Sequence, residues 1–311
     1  MQPADGLGLR LKSLCLKNIA CFKNAELEFY TSGGDTINWT VMLGENGTGK
    51  TTLLRSAALL LAGEQTARKL CPRPGLMVRR GEEEGFIEGE VELWTDGKRQ
   101  QKFNLSIKLR DLPHDRGWGS DWGADGKEFQ ELLRMNENNG GSLLCGYGAT
   151  RITPGRDSKL QRGYSERYIG PGMDRLLTLF DEEAVLTPLN EWLTNLEYRH
   201  FKSNSKNGYS DANLFQVAIN NLNKLLPSVT FNRIDNDGEA LFDTPYGPMP
   251  LQDLSRGYQD VVTWVSDLMR RLIKCYPDRK EPMHGEGVVI VEEIALHLHP
   301  DWQQKVIGFL R

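Results

Sequence analysis

Leu43-Gly44-Glu45-Asn46-Gly47-Thr48-Gly49-Lys50-Thr51-Thr52-Leu53-Leu54 is the stretch whose reading decides the fold. From Gly44 to Thr51 it fits the pattern GxxxxGK[ST]. The glycines let the backbone turn sharply, so that successive N–H groups face one anion. Lys50 supplies a point charge within reach of two phosphates, and the Thr51 hydroxyl suits Mg²⁺. A helix opening at Thr51 and Thr52 aims the positive end of its dipole at the same place. The pattern alone also fits a Gly-rich turn beside an amphipathic helix. Its surroundings favour a phosphate loop: a β-rich run, Thr36 to Leu43, precedes it, and an apolar helix from Thr51 to Ala62, stopped by Gly63, follows. The expected cradle is therefore Gly44, Glu45, Asn46, Gly47, Thr48, Gly49, Lys50, Thr51 and Thr52, holding a nucleoside triphosphate such as ATP.

Far along the chain, the apolar run Gly287 to Val291 ends in Glu292-Glu293. A buried strand ending in paired acids complements a phosphate loop. The first acid, Glu292, is expected to hold Mg²⁺, and the second, Glu293, to orient or deprotonate an attacking water. A strand that simply ends in solvent-facing acids is the competing reading. Glu292 is one methylene longer than the aspartate usual at such a position, which alters the metal geometry.

A third segment, Leu254-Ser255-Arg256-Gly257-Tyr258-Gln259, opens a helix with apolar positions Val261, Val265, Leu268 and Leu272. Ser255 and Gly257 at its start make a second anion site, or Ser255 is an ordinary N-cap. Two such sites in one chain are most simply reconciled if Ser255 and Gly257 cap the terminal phosphate held by a second copy.

Elsewhere, residues 9–30 read as two strands joined at Lys17 to Lys23. Phe86 to Leu109 reads as two strands around a turn at Asp96-Gly97. Residues 111–142, rich in Gly, Asp and Asn, read as a surface insertion with one short helix near Glu128 to Met135. Ser142 to Thr150 reads as a strand. Residues 173–275 read as a helical lobe: helices at Leu189 to Phe201, Asn213 to Leu226 and Arg256 to Ile273, with a hairpin from Val229 through Leu241 and Phe242. Trp302 to Leu310 reads as a last helix. Together these give an α/β fold, a P-loop NTPase with a mixed sheet and an inserted helical lobe, as a single head over residues 1–311.

Bulk properties agree. Hydrophobic residues make up 39% and charged residues 26%, ordinary for a globular protein with a sizeable core. A net charge of −4 argues against a general polyanion binder. Cys15, Cys21, Cys71, Cys145 and Cys275 are scattered and odd in number, which argues against a disulfide framework or a zinc site and points to the cytoplasm. No signal peptide is legible, and the apolar run Ala57 to Ala62 is too short to span a membrane. One basic and aromatic tract, Gly146 to Gly170, interleaves Arg151, Arg156, Lys159, Arg162 and Arg167 with Tyr147, Tyr164 and Tyr168. That composition suits DNA or RNA contact, and equally a solvated or nucleotide-sensing loop.

The segments LGENGTGKTTLL, LSRGYQDVV and VIVEEIALHLHPDWQ, with the opening LKSLCLKNIACFKNAELEF, resemble the ABC-type ATPase superfamily. The resemblance is to its RecF, SMC and OLD-like branch, and within it to compact bacterial anti-phage ATPases of the Septu, retron-associated and OLD types. It implies an ATP- and Mg²⁺-dependent homodimer or higher oligomer, with His297, Leu298, His299 and Pro300 at the dimer interface, and an effector protein such as a nuclease. It also implies a further strand with a switch histidine after Glu293, whereas the sequence stops at Arg311, as expected of a C-terminally incomplete head. Transporter subunits place their two motifs closer together, and an SMC protein needs a long heptad arm, which is absent. Two alternatives stay open: a nucleotide-gated scaffold with little turnover, and a DNA-repair ATPase of the RecF or SMC kind.

Overall fold

Helix α1 (Lys50–Ala62) starts one residue before its expected beginning and ends at Gly63, whose φ of 74° breaks the helical course. Ser56 to Ala62 are all buried, so its second half has no solvent face and is a core helix rather than an amphipathic one. The computed structural model describes residues 8–95, 98–112, 114, 117–119, 122–137, 142–151, 173–204, 211–276, 279 and 281–310. The chain divides into two units. The first takes residues 1–147, 169–180 and 275–292; the second takes residues 148–168, 181–274 and 293–311.

In the first unit, β1 (Gly8–Leu11), β2 (Ser13–Ile19), β3 (Phe22–Glu28), β4 (Glu84–Thr95) and β5 (Lys98–Arg110) form an antiparallel sheet. One edge of β4 carries β5 along its length. The other is shared by β1, against Val91 to Trp94, and β2, against Phe86 to Glu88. The first expected strand is thus broken at Lys12, whose N–H still reaches Glu90 O at 2.8 Å. The join between β2 and β3 is tighter than expected, with Asn18 and Ala20 in the left-handed region. The expected turn at Asp96-Gly97 lies outside the described residues.

Alternate sheet residues, among them Leu14, Leu16, Ile87, Val91, Phe103, Leu105 and Ile107, form one core with Leu59, Leu60 and Leu61 of α1. Each such side chain contributes about 1.5–3 kcal/mol by leaving water. Helix α2 (Glu64–Leu70) follows α1 directly. Helix α3 (Gly126–Glu137) lies in the stretch expected to be a surface insertion, and that expectation needs correction. Trp122 and Phe129 are core residues; Phe129 packs 5.4 Å from Phe103, and Trp118 stacks on Trp122 at 5.6 Å. The polar composition around them concealed three large apolar anchors, Trp118, Trp122 and Phe129.

A second, parallel pair joins β6 (Leu143–Tyr147) to β10 (Gly287–Val291). The Glu292 N–H donates to Tyr147 O at 2.8 Å, extending the ladder by one residue and fixing where the first acid emerges. Helix α4 (Leu177–Phe180) packs on β6 through Thr178, whose hydroxyl donates to Gly146 O at 3.0 Å. Residues 173–180 therefore belong to the first unit, not to the helical lobe. The expected strand Thr36 to Leu43 does not form. Only Thr36 bridges, to Tyr30, while Val41 is 59% and Leu43 90% exposed. Among the described residues no strand lies beside this run, and β-propensity without a partner does not make a strand.

The second unit contains α5 (Leu189–Asn204), α6 (Asp211–Leu225), a meander of β7 (Thr230–Ile234), β8 (Ala240–Thr244) and β9 (Gly247–Pro250), then α7 (Arg256–Cys275, whose last residue falls in the first unit) and α8 (Pro300–Leu310). Strand β9 was not anticipated because Pro248 and Pro250 lie in it. It pairs on one side only, with β8, where prolines are tolerated. Val261, Val265, Leu268 and Leu272 of α7 are buried as their spacing predicts, with Val262, Trp264 and Met269 beside them. Asp267 is buried among them, with Arg270 at 2.7 Å and Arg271 at 2.6 Å. Burial pushes its carboxyl upward, but the two guanidiniums outweigh this and hold it below its ordinary value. No described helix is long and apolar enough to cross a membrane.

Candidate functional site

The loop before α1 is held open by backbone geometry. Gly47 and Gly49 have φ of 83° and 97°, values that a residue with a Cβ adopts only with strain. A Cβ on Gly49 would also lie 2.5 Å from Cys21 Sγ and 2.6 Å from the Phe22 ring. The β2–β3 turn therefore wedges beneath the loop, with the Cys21 thiol donating to Thr48 O at 3.5 Å. The Thr48 hydroxyl donates to Glu45 O at 2.8 Å, and Lys50 Nζ donates to Gly44 O at 2.7 Å and Glu45 O at 2.8 Å. The first helical bond of α1 runs from Leu53 N to Gly49 O. Helix geometry gives no acceptor to the N–H groups of Lys50, Thr51 and Thr52. No side chain caps this end, and its first turn carries no acid. The dipole and three N–H groups thus remain for an anionic ligand.

The Thr51 hydroxyl donates to Glu292 Oε1, joining the start of α1 to the end of β10. Two oxygen donors meeting there suit a hard cation. Among the described residues no cluster of three or more His, Cys, Asp or Glu exists to cage one. Glu293 follows with φ of 50°. Its side chain is exposed, and its carbonyl accepts from Arg151 Nη2 at 3.2 Å.

In the second unit, Ser255 precedes α7, and its hydroxyl makes no hydrogen bond among the described residues. It is not acting as an N-cap. Gly257 is buried, and a Cβ there would lie 2.7 Å from the His297 carbonyl. Ser255, Gly257, His297, His299 and Lys305 share a groove of about 420 Å³. Behind it, the Tyr258 ring lies 4.4 Å from that of Trp302. Their polar tips are taken up by the carbonyls of Pro227 and Leu225.

The model of the AAA domain matches residues 13–244. The chain belongs to the AAA domain family. Septu protein PtuA of Bacillus mycoides (strain KBAB4) is 24% identical over 306 residues, covering 97% of this chain and 36% of that protein. The retron Vc95 probable ATPase of Vibrio cholerae serotype O1 biovar El Tor is 23% identical, over 94% of this chain and 66% of that one. The retron Ec83 probable ATPase of Escherichia coli is 43% identical over 54 residues, covering 17% of this chain and 10% of that one. The chain thus spans between about a third and two thirds of the length of the Septu protein and the retron Vc95 ATPase. A solved structure of the recombination mediator RecF with ATP aligns over 98% of this chain and 92% of that one, at 11% identity and a TM-score of 0.45.

Within this AAA domain, one expected surface needs correction. Arg151 and Tyr147, placed by composition in a nucleic-acid contact tract, are 2% and 1% exposed. Arg151 lies 5.6 Å from the Trp264 ring and bonds to Gly148 O and Glu293 O. Both side chains are used inside the protein. Arg156, Lys159, Arg162, Tyr164, Arg167 and Tyr168 lie outside the described residues. Sequence reasoning missed Asp260, which is buried while holding Arg256 and His297. Its only signal was the four-residue spacing from Arg256. It also missed the Cys21-Phe22 wedge, for which no spacing gives a signal.

Proposed function

We propose that the chain binds ATP with Mg²⁺ at the loop before α1 and hydrolyses it to ADP and phosphate between two paired copies, so controlling an associated effector in anti-phage defence. The observation that carries the reading is the contact of Thr51 with Glu292 beside the uncapped start of α1. Lys50 releases its two loop carbonyls and neutralises charge on the β- and γ-phosphates. Gly44 to Thr52 supply backbone N–H groups. Thr51 and Glu292 hold Mg²⁺, which polarises the transferred phosphoryl group when bound. Glu293 orients or deprotonates the attacking water. Ser255 and Gly257 close over the terminal phosphate from the second copy. Descriptions of relatives as Septu and retron proteins support the defence setting, and a nuclease is the kind of effector that fits it.

A second reading, a nucleotide-gated scaffold with little turnover, is favoured by Glu292 standing where a shorter aspartate is usual. Glu293→Gln separates the two. Under hydrolysis, phosphate release falls by about 100-fold or more, and light scattering finds an ATP-bound dimer that persists. Wild-type turnover in Glu293→Gln overturns the assignment of the water-handling acid. An ATP-dependent wild-type dimer that releases no phosphate establishes the scaffold instead.

A further inference from the structure

We propose that Asp260 is a positioning residue that sets Arg256 and His297 beside Ser255 to grip the terminal phosphate presented by a second copy. The inference rests on the paired-copy reading above and names the groups that read the phosphate from the far side. Asp260 uses both carboxylate oxygens on different elements: Oδ1 meets Arg256 Nε at 2.9 Å within α7, and Oδ2 meets His297 Nδ1 at 2.7 Å in the segment before α8. The acid is 5% exposed, while Arg256 and His297 remain 56% and 47% exposed.

A structural ion pair in the same helix looks different. Asp267 is wholly buried, and its partners Arg270 and Arg271 are largely buried with it. At Asp260 only the anchor is buried; of the two groups it holds, His297 lines the groove and Arg256 is exposed next to Ser255 in the chain.

The chemistry fixes the orientation of the ring. A carboxylate only accepts, so the His297 nitrogen facing Asp260 carries a proton, and Nε2 is the nitrogen left for a ligand. Doubly protonated, His297 donates from Nε2 to a phosphate oxygen. The backbone fixes the origin of the ring: His297 has φ of 62°, and its carbonyl sits where a side chain on Gly257 would be. The other ionisable groups facing the groove are His299 and Lys305, with Asp301 paired to His299 at 3.5 Å. Tyr258 and Trp302 have their polar tips committed elsewhere. The groove therefore offers hydroxyl, imidazole and ammonium, with the exposed Arg256 guanidinium next to Ser255 in the chain, a set that matches a phosphate dianion.

The test uses Asp260→Ala, Asp260→Asn and His297→Asn in the full chain; asparagine tolerates the left-handed backbone at position 297. ATP binding by the single copy, dimer formation with MgATP, kcat and KM are measured separately. Asp260→Ala is expected to lower kcat about 10- to 100-fold, with single-copy ATP affinity unchanged. His297→Asn is expected to match it, and the double variant to add nothing further, because both remove one unit. Asp260→Asn, whose amide oxygen still accepts from Nδ1, restores most of the rate. A merely structural acid would lower the melting temperature and give no such recovery or non-additivity. His297→Asn is at an exposed side chain and carries the test should Asp260→Ala fail to fold. A wild type that dimerises while His297→Asn keeps its kcat overturns this inference alone. A wild type that binds ATP and stays monomeric overturns the paired reading, and this inference falls with it.

Discussion

Helix α1 opens at Gly49 and helix α7 at Ser255, and neither start is closed by a capping side chain among the described residues. They are nevertheless assembled in opposite ways. The start of α1 is organised by its own neighbours: Lys50 turns back to Gly44 and Glu45, and Thr48 to Glu45. The start of α7 is organised from a distance, by a histidine that lies 37 positions from the buried acid it shares with Arg256. A site made of local backbone is written as a short pattern. A site made of side chains from separate elements has no pattern, only a geometry.

Substitutions at each end should move that end alone, and the largest effect is expected within α7. Asp267→Asn leaves two guanidiniums without their anion and should cost about 3–5 kcal/mol, read by urea unfolding. Because the folded carboxyl titrates below its ordinary value, the stability it contributes is fully present above the unfolded value near pH 4. It is lost as pH falls through the folded value. Acid unfolding of the wild type should therefore be steeper than that of Asp267→Asn. Lys50→Ala should weaken single-copy ATP binding by about 100-fold or more, removing a charged contact of about 3 kcal/mol, with the melting temperature of the ligand-free chain unchanged. Equal ATP affinity in Lys50→Ala would break the comparison at its firmer end.

Gly257→Ala should cost about 1–3 kcal/mol through its clash with the His297 carbonyl, while calorimetry finds ATP binding by the single copy intact. Loss of that binding would show that the two ends are not separable. Trp302→Phe removes the bond to Leu225 O and shrinks a buried ring, and should cost about 1–2 kcal/mol, read by urea unfolding.

The same contrast explains how much was legible in the sequence. The glycine-rich loop before α1, α1 itself, the apolar strand β10 and the face of α7 were all readable, because each depends on residues within a turn or two of one another. The contact between Thr51 and Glu292 was readable only as a pairing of motifs; its atoms are 241 positions apart. Trp118, Trp122 and Phe129 were misjudged because polar neighbours hid them, and Arg151 because a charged residue was read as a surface residue. Its burial against Trp264 and two carbonyls follows from tertiary contacts that composition does not record. Thr36 to Leu43 failed for the converse reason: the residues favour a strand, but the neighbour needed to make one is not among those described.

That last run has a practical consequence. Val41 and Leu43 stand in water on a run with no ladder bonds from residue 38 to 43 among the described residues. Such an exposed apolar run is adhesive. Handling this chain at high concentration will favour clumping through the very approach to the loop before α1, and a charged substitution at Leu43 is the simplest way to keep it in solution.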